Sequence, residues 1–183
     1  MGNTHAGLLP FSPDEQSRMQ DETKLSQDEM MNLFRKFRKM DLHKSGEITF
    51  EEFRRIPELA SNPLVGRLFA VMDTDGNGII DFDEFLNGIS VFTPARSDED
   101  RLRFLFSIYD VDRDGLISNG ELFSVLKIMT GASLPDRSLQ QLVDRTIRDY
   151  NRSGAPDGIT FDDFRTMLTE KGAAFEQTLK VEL

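Results

Sequence analysis

The strongest constraint on the fold of this chain is the stretch from Asp73 to Glu84, which reads DTDGNGIIDFDE. Ca²⁺ takes six to eight oxygen ligands, and a tightly wound loop of twelve residues supplies them from positions 1, 3, 5, 7, 9 and 12, with Gly at position 6 for the sharp turn. The stretch matches this pattern at every one of these positions. It therefore predicts a calcium site whose ligands are the carbonyl of Ile79 and the side chains of Asp73, Asp75, Asn77, Asp81 and Glu84.

A second stretch of the same kind runs from Asp110 to Glu121 and reads DVDRDGLISNGE. It has carboxylates at all of positions 1, 3 and 5, and glutamate again closes the loop. The predicted ligands are the carbonyl of Leu116 and the side chains of Asp110, Asp112, Asp114 and Glu121.

The stretch 41–52, DLHKSGEITFEE, keeps part of the pattern but has His43 at position 3. An imidazole nitrogen is a poor ligand for Ca²⁺, which prefers oxygen. We therefore expect weaker binding here, with Asp41, Ser45, Glu52 and the carbonyl of Glu47 as candidate ligands. The alternative is a metal-free loop that holds its neighbour in shape.

A fourth loop precedes Asp163 and departs further from the pattern. A start at Asn151 makes it one residue too long, with Ser153 at position 3, and a start at Asp149 makes it three residues too long. Neither register assembles a full ligand set, and aspartate reaches less far than glutamate at the closing position. We expect this loop to be empty and the whole chain to bind two or three Ca²⁺ ions.

Each loop lies between two helical patterns, and this unit repeats along the chain with Ile48, Ile80, Ile117 and Ile159 near the loop ends. The repeat predicts an all-α fold of four EF-hand units in two paired lobes, with a short two-stranded bridge between the loops of each pair. We expect the lobes at 25–92 and 97–170, a linker at 93–96, a mobile N-terminal arm at 1–24 and a tail at 171–183 that is either folded over a groove or disordered.

Composition excludes several other classes of protein. The absence of cysteine excludes a disulfide framework and a thiol nucleophile. A net charge of −10 disfavours nucleic acid as a partner, and no apolar run is long enough for a membrane span. A cytoplasmic location follows as an expectation.

Two features suggest contacts with other molecules. Apolar residues outside the main stripes of the helices around Asp110–Glu121 indicate either internal burial or a groove for an amphipathic helix, and we take as candidate partner-binding residues Leu122, Phe123, Leu126 and Met129. The start Met1-Gly2-Asn3 is similar to an N-myristoylation signal, although Ala6 stands where Ser or Thr is preferred. One acyl chain on Gly2 would give weak, reversible membrane contact.

Several stretches that a calcium loop does not require resemble the family of calcineurin regulatory B subunits. They are PELASNPLV (57–65), MDTDGNG (72–78), RLRFLFSIYDVDRDG (101–115), ISNGELFSVLK (117–127) and LQQLVDRTI (139–147). The resemblance implies a non-catalytic calcium-binding protein with four EF-hands, acylated at Gly2. It also implies that such a protein binds and stabilises an amphipathic helix of the catalytic A subunit of a calcium- and calmodulin-activated Ser/Thr phosphatase, which contains the active site.

Two other functions fit the same loops. A related sensor with this fold could dock on a transporter or a kinase, and a soluble calcium buffer would need no partner. Calcium-dependent exposure of apolar surface would argue against the buffer.

Overall fold

The computed structural model describes residues 9–156 and 158–171 of the 183 in the chain. Over these residues it contains helices that flank four loops and two short antiparallel sheets. The elements are α1 (Pro13–Thr23), α2 (Gln27–Met40), β1 (Ile48–Thr49), α3 (Phe50–Phe53), α4 (Val65–Met72), β2 (Ile79–Ile80), α5 (Phe82–Ser90), α6 (Asp98–Tyr109), β3 (Leu116–Ser118), α7 (Asn119–Thr130), α8 (Asp136–Tyr150), β4 (Gly158–Thr160) and α9 (Phe161–Lys171).

The loops pair as the repeat predicts. Strand β1 pairs with β2 through Ile48 and Ile80, and β3 pairs with β4 through Ile117 and Ile159. All four isoleucines are almost completely buried, so each pairing also joins the cores of two helix–loop–helix units. The prediction of an all-α EF-hand fold with short bridges between paired loops is confirmed.

The chain divides into two compact units whose boundary is not where we expected it. The first unit comprises the described residues up to Ala60 together with Leu68–Arg101, and the second comprises Ser61–Arg67 and the described residues from Leu102 onward. The segment Ser61–Arg67 belongs to the second unit, where the Arg67 guanidinium donates to the carbonyls of Ile108 at 2.9 Å and Ser107 at 3.0 Å. Arg101 donates to the carbonyl of Thr93 at 2.9 Å and extends the first unit past the expected linker.

The expected mobile arm at 1–24 is wrong for residues 13–23, which form helix α1. Ser12 and Glu15 form a capping box at its start, and Met19 and Thr23 are buried. The capping box stabilises the helix end locally, and burial of Leu9 and Met19 offsets the entropy of ordering the segment. Gly2 and the tail beyond Lys171 lie outside the described residues, and so do the predictions made for them.

Aromatic side chains form the centre of each unit. In the first unit Phe37 packs against Phe82 and Phe85, with ring centroids 5.4 Å apart in both pairs. In the second unit Phe164 packs against Phe106 and Tyr109. Within the described part of the chain, no helix is long and apolar enough to cross a membrane.

Candidate calcium-binding loops

All four loops begin with the same backbone geometry. The N–H of the first loop residue donates to the carbonyl four residues earlier, in the entering helix, and the residue at position 4 has a positive φ. The first residues are Asp41, Asp73, Asp110 and Asn151, and those at position 4 are Lys44 (φ 58°), Gly76 (φ 73°), Arg113 (φ 62°) and Gly154 (φ 74°).

This shared geometry fixes the register of the fourth loop, which the sequence left open. The loop begins at Asn151, since Asp149 still lies within helix α8. Ile159 pairs with Ile117 at position 8 of the third loop, so one extra residue is inserted between Gly154 and Ile159. Pro156 occupies position 6 of this register, where the other loops have glycines with φ between 85° and 90°; the proline ring excludes that conformation.

The loop 73–84 brings three carboxylates together. Oxygens of Asp73, Asp75 and Glu84 all lie within 4.8 Å of one another. Asp73 is oriented by the backbone N–H groups of Asn77 at 3.1 Å and Gly78 at 3.0 Å, which donate to its two oxygens. Three hard oxygen donors this close repel one another without a cation and suit the coordination chemistry of Ca²⁺.

Two further predicted ligands of this loop, Asn77 and Asp81, also accept hydrogen bonds from its backbone. Asn77 Oδ1 accepts from the N–H of Ile79 at 2.9 Å, which shapes the turn around position 5. Asp81 caps helix α5 by accepting from the N–H of Glu84 at 2.8 Å. Burial raises the pKa of Asp81, and the charges of Glu84 and Asp83 add to this effect. A divalent cation in the loop would relieve that repulsion.

The loop 110–121 gathers a different set of three carboxylates. Oxygens of Asp110, Asp112 and Asp114 lie within 4.8 Å of one another. Burial raises the pKa of Asp110, and the nearby charges of Glu121 and Asp114 raise it further. The loop thus concentrates negative charge at its first position. Leu116, whose carbonyl is the predicted ligand at position 7, is positioned by a hydrogen bond from its N–H to Asp114 Oδ1 at 2.8 Å.

The closing carboxylate joins the two ends of every loop. One of its oxygens accepts from the residue that precedes the exiting helix, at position 9 in the twelve-residue loops and position 10 in the loop 151–163. The other oxygen accepts from the backbone N–H groups of positions 2 and 3. In the loop 110–121, for example, Glu121 accepts from Ser118 and from the N–H groups of Val111 at 2.6 Å and Asp112 at 3.2 Å. Equivalent bonds surround Glu52, Glu84 and Asp163.

Three of the four closing carboxylates receive one more side-chain hydrogen bond. Thr74 Oγ1 at position 2 donates to Glu84 Oε1 at 2.8 Å, whereas in the loops 41–52 and 151–163 the donor stands at position 3. His43 Nδ1 lies 2.8 Å from Glu52 Oε1, and Ser153 Oγ donates to Asp163 Oδ2 at 2.6 Å. An ionised carboxylate only accepts, so His43 is the donor in its pair. In the loops 73–84 and 110–121 this position holds an aspartate that faces the carboxylate cluster instead.

These donors stabilise the charged form of the closing carboxylates. Burial acts to raise the pKa of Glu52, but hydrogen bonds from Thr49 and His43 outweigh it and lower the pKa to about 2. Burial opposes the same effect at Asp163, whose pKa is lowered by Ser153, Thr160 and the N–H of Arg152. In these two loops the side chain at position 3 is thus a donor to the closing carboxylate, where a calcium loop has an oxygen ligand.

The first position of the loop 41–52 is also occupied by internal partners. Asp41 accepts from the N–H groups of Ser45 and Gly46, both at 2.9 Å, and forms an ion pair with Arg38 at 3.6 Å. These contacts outweigh burial and lower the pKa of Asp41. The carbonyl of Glu47 accepts from Ser45 Oγ at 3.0 Å. Among the described residues, no group of three carboxylates or imidazoles gathers in this loop.

The candidate partner-binding residues on α7 differ in exposure. Leu122 is buried and belongs to the core, whereas Phe123, Leu126 and Met129 are half-buried. Exposed apolar side chains on α7 and α8 are Ile128, 45% exposed, and Leu142, 48% exposed.

Sequence reasoning missed the contacts that α1 makes beside the loop 73–84. The Arg18 guanidinium forms an ion pair with Asp83, and Phe11 stacks on Phe82. Ser12, Pro13 and Glu15 are the signal that could have predicted this helix, but nothing in the sequence marks its partner.

Comparison with known families and proteins agrees with this geometry. Residues 99–169 match the EF-hand domain pair, residues 64–92 match the EF hand domain and residues 34–57 match the EF hand. The chain is 52% identical over 147 residues to the type 2 calcineurin B subunit of Rattus norvegicus, and the match covers 80% of this chain and 82% of that protein.

Matches to two further proteins cover still more of the chain. The calcineurin B subunit of Candida glabrata is 45% identical over 87% of this chain and 91% of its own length. The calcineurin B subunit of Naegleria gruberi is 42% identical over 99% of this chain and 100% of its own length.

Proposed function

Because this chain belongs to the family of calcineurin B subunits, we propose that it is the calcium-binding, non-catalytic regulatory subunit of a calcineurin-type Ser/Thr phosphatase. The observation that carries the proposal is the pair of carboxylate clusters at Asp73 and Asp110, set in loops that match EF-hand families. Calcium held there sets the angle between the entering and exiting helices, which is how EF-hand sensors shape a surface for a partner.

We propose that the chain binds two Ca²⁺ ions, one in each unit. The ligands are the sequence-predicted residues of the loops 73–84 and 110–121. In the loops 41–52 and 151–163 the closing carboxylate is already bonded to a donor at position 3, so an ion there would have to displace His43 or Ser153. Each pair of loops then contains one ion-binding loop and one that supports it through the strand pairing.

We propose further that an amphipathic helix from the catalytic A subunit docks on the second unit along α7. Phe123, Leu126 and Met129 support this assignment because they are half-buried and give a partner apolar area to cover. Leu122 is left out because it is buried.

The first test is a calorimetric titration of the purified full chain with Ca²⁺, with and without a peptide that copies the amphipathic helix of a calcineurin catalytic subunit. Two sites and peptide binding are expected. Glu84→Gln and Glu121→Gln should each remove one site, and Glu47→Gln is the matched control because this exposed side chain is not a predicted ligand.

The partner surface is tested by charge insertion. Leu126→Glu should abolish peptide binding and activation of a reconstituted phosphatase. Ser124→Glu is the control, since it adds the same charge to an exposed position on another side of the same helix. Calcium binding with no affinity for the peptide would overturn the proposed regulatory role and favour a buffer or a sensor with another partner.

A further inference from the structure

The N-terminal segment packs on the helix that leaves the loop 73–84. Helix α1 contacts α5, and the ring of Phe11 stacks on that of Phe82 with centroids 5.3 Å apart and planes 11° from parallel. The Phe11 ring also meets Phe34 edge-on at 5.9 Å. Leu9 and Met19 are only 4% and 3% exposed, so the segment is seated in the unit rather than lying loosely on it.

The second contact is electrostatic and lies one residue further along. Arg18 forms an ion pair with Asp83, whose side chain is 31% exposed. Asp83 Oδ1 is buried and has no hydrogen-bond partner among the described residues. The charge of Arg18 therefore offsets part of the cost of burying this carboxylate. Phe82 and Asp83 are positions 10 and 11 of the loop and directly precede Glu84, which closes it.

These contacts constrain the residue that the calcium site most depends on. Glu84 lies on the first turn of α5, so its distance from Asp73 and Asp75 is set by the direction in which that helix leaves the loop. In the structure, the N-terminal segment is docked on α5 while the oxygens of Asp73, Asp75 and Glu84 lie within 4.8 Å of one another. Two events that favour one arrangement stabilise each other by thermodynamic linkage.

We propose that residues 9–23 form an N-terminal strap that holds the start of α5 in the calcium-binding orientation, so that docking of the strap and Ca²⁺ binding at the loop 73–84 are positively coupled. The inference rests on the proposed calcium binding at this loop. It assigns Phe11 and Arg18 as positioning residues, which act on Glu84 through Phe82 and Asp83 and contact no ion themselves.

The two contacts differ in size, because the charge of Arg18 offsets part of the positioning effect of its ion pair with Asp83. The stacked ring restricts the position of Phe82 and favours the site. The positive charge of Arg18 disfavours a cation nearby, but it is about half exposed and screened by salt. We therefore expect loss of the aromatic contact to weaken calcium binding and Arg18→Gln to change it much less.

The test uses the full chain and resolves both loops by calorimetry. Phe11→Ala is expected to weaken Ca²⁺ binding at the loop 73–84 about tenfold and to leave the loop 110–121 unchanged. The loop 110–121 is the internal reference in the same chain. Phe92→Ala is the matched control, because this 43% exposed side chain follows the far end of α5 and its loss removes the same atoms.

Hydrogen exchange measures the same coupling as the effect of Ca²⁺ binding on the docking of the strap. Addition of Ca²⁺ should slow exchange of the backbone amides of α1, and this protection should be lost in Glu84→Gln but kept in Glu121→Gln. If the wild-type chain binds Ca²⁺ at the loop 73–84 and Phe11→Ala binds it equally well, the proposed strap is overturned and the proposed function stands. If the wild-type loop binds no Ca²⁺, the strap fails together with the proposed function.

Discussion

The loops 73–84 and 110–121 differ from both the loops 41–52 and 151–163 in what stands at position 3. Asp75 and Asp112 add a carboxylate to a cluster, whereas His43 and Ser153 donate a hydrogen bond to the carboxylate that closes the loop. The first kind of loop collects negative charge that a cation relieves. The second kind bonds its closing carboxylate to its own side chain at position 3. At position 1, burial is outweighed by hydrogen bonds and Arg38, which lower the pKa of Asp41, whereas burial and neighbouring carboxylates raise the pKa of Asp110.

The difference teaches that one fold element can be kept for two purposes. All four loops retain the same entry geometry, the bonds from positions 2 and 3 to the closing carboxylate, and the buried isoleucine that pairs with its neighbour. A loop without an ion still has to present its isoleucine in the right register, and internal donors can hold it there. Under the proposed two-ion assignment, each pair combines a loop that responds to calcium with one whose shape does not depend on it.

Removal of the closing carboxylate charge from a loop that gathers three carboxylates should have the largest effect on Ca²⁺ affinity. Glu121→Gln takes one charged oxygen ligand from the loop 110–121 and is expected to lower its Ca²⁺ affinity on the order of 100-fold, about 2.7 kcal/mol. Calorimetric titration measures it, with the loop 73–84 as the reference in the same chain. An unchanged affinity at both loops would show that the ion is not held by this carboxylate.

The same change in the loop 41–52, whose closing carboxylate is bonded to the side chain at position 3, should affect stability instead of Ca²⁺ affinity. Glu52→Gln leaves one oxygen for two sets of donors, so an amide N–H₂ faces either Leu42 and His43 or Thr49. We expect the free energy of unfolding to fall by about 2 kcal/mol in calcium-free buffer. The number of Ca²⁺ ions bound should stay the same. Urea unfolding measures the loss, and Glu51→Gln is the control because its side chain is 63% exposed in a surface pair with Arg54.

The pH dependence of that loss follows from the direction of the shift. The pKa of Glu52 is about 2 in the folded chain, below its ordinary value of 4.5, so the ionised group stabilises the fold above pH 4.5. This contribution is lost as the pH falls toward 2. The difference between Glu52→Gln and the wild type should therefore shrink over that range, and a difference that stays constant would exclude ionised Glu52 as the stabilising group.

Sequence reasoning predicted the features that depend on local patterns. The loop positions around Asp73 and Asp110 and the pairing of the loop isoleucines follow from fixed spacings. The role of His43 was only half predicted: its poor fit to Ca²⁺ was clear, but its bond to Glu52 requires that the two ends of the loop be close together.

Features set by contacts between distant residues could not be predicted in the same way. The register of the fourth loop required comparison of its backbone with the other three, because its single extra residue leaves the local pattern ambiguous. Packing of α1 on α5 joins Arg18 to Asp83, 65 residues apart, and no spacing rule relates them. A mobile arm was expected at 1–24, whereas residues 13–23 form a helix in which Met19 and Thr23 are buried.

Conversion of one loop type into the other tests whether position 3 is the deciding difference. His43→Asp should give the loop 41–52 a new carboxylate beside Asp41 and raise its Ca²⁺ affinity at least about tenfold, about 1.4 kcal/mol, so that a third site appears in the titration. Leu42→Asp is the control, since it adds the same charge at an exposed position that is not a ligand. A third site in both variants would attribute the gain to net charge alone.

The smallest expected effect concerns the corresponding donor in the fourth loop. Ser153→Ala removes the hydroxyl that bonds to Asp163 at 2.6 Å, and we expect the free energy of unfolding to fall by about 1 kcal/mol. Ser124→Ala is the matched control, because that hydroxyl bonds only to the Gly120 carbonyl within its own helix. Calcium stoichiometry should not change, since the extra residue and Pro156 still prevent the tight turn that a twelve-residue loop needs. A gain of calcium binding in Ser153→Ala would instead mean that the hydroxyl alone keeps the ion out, and that loop length matters less than the side chain at position 3.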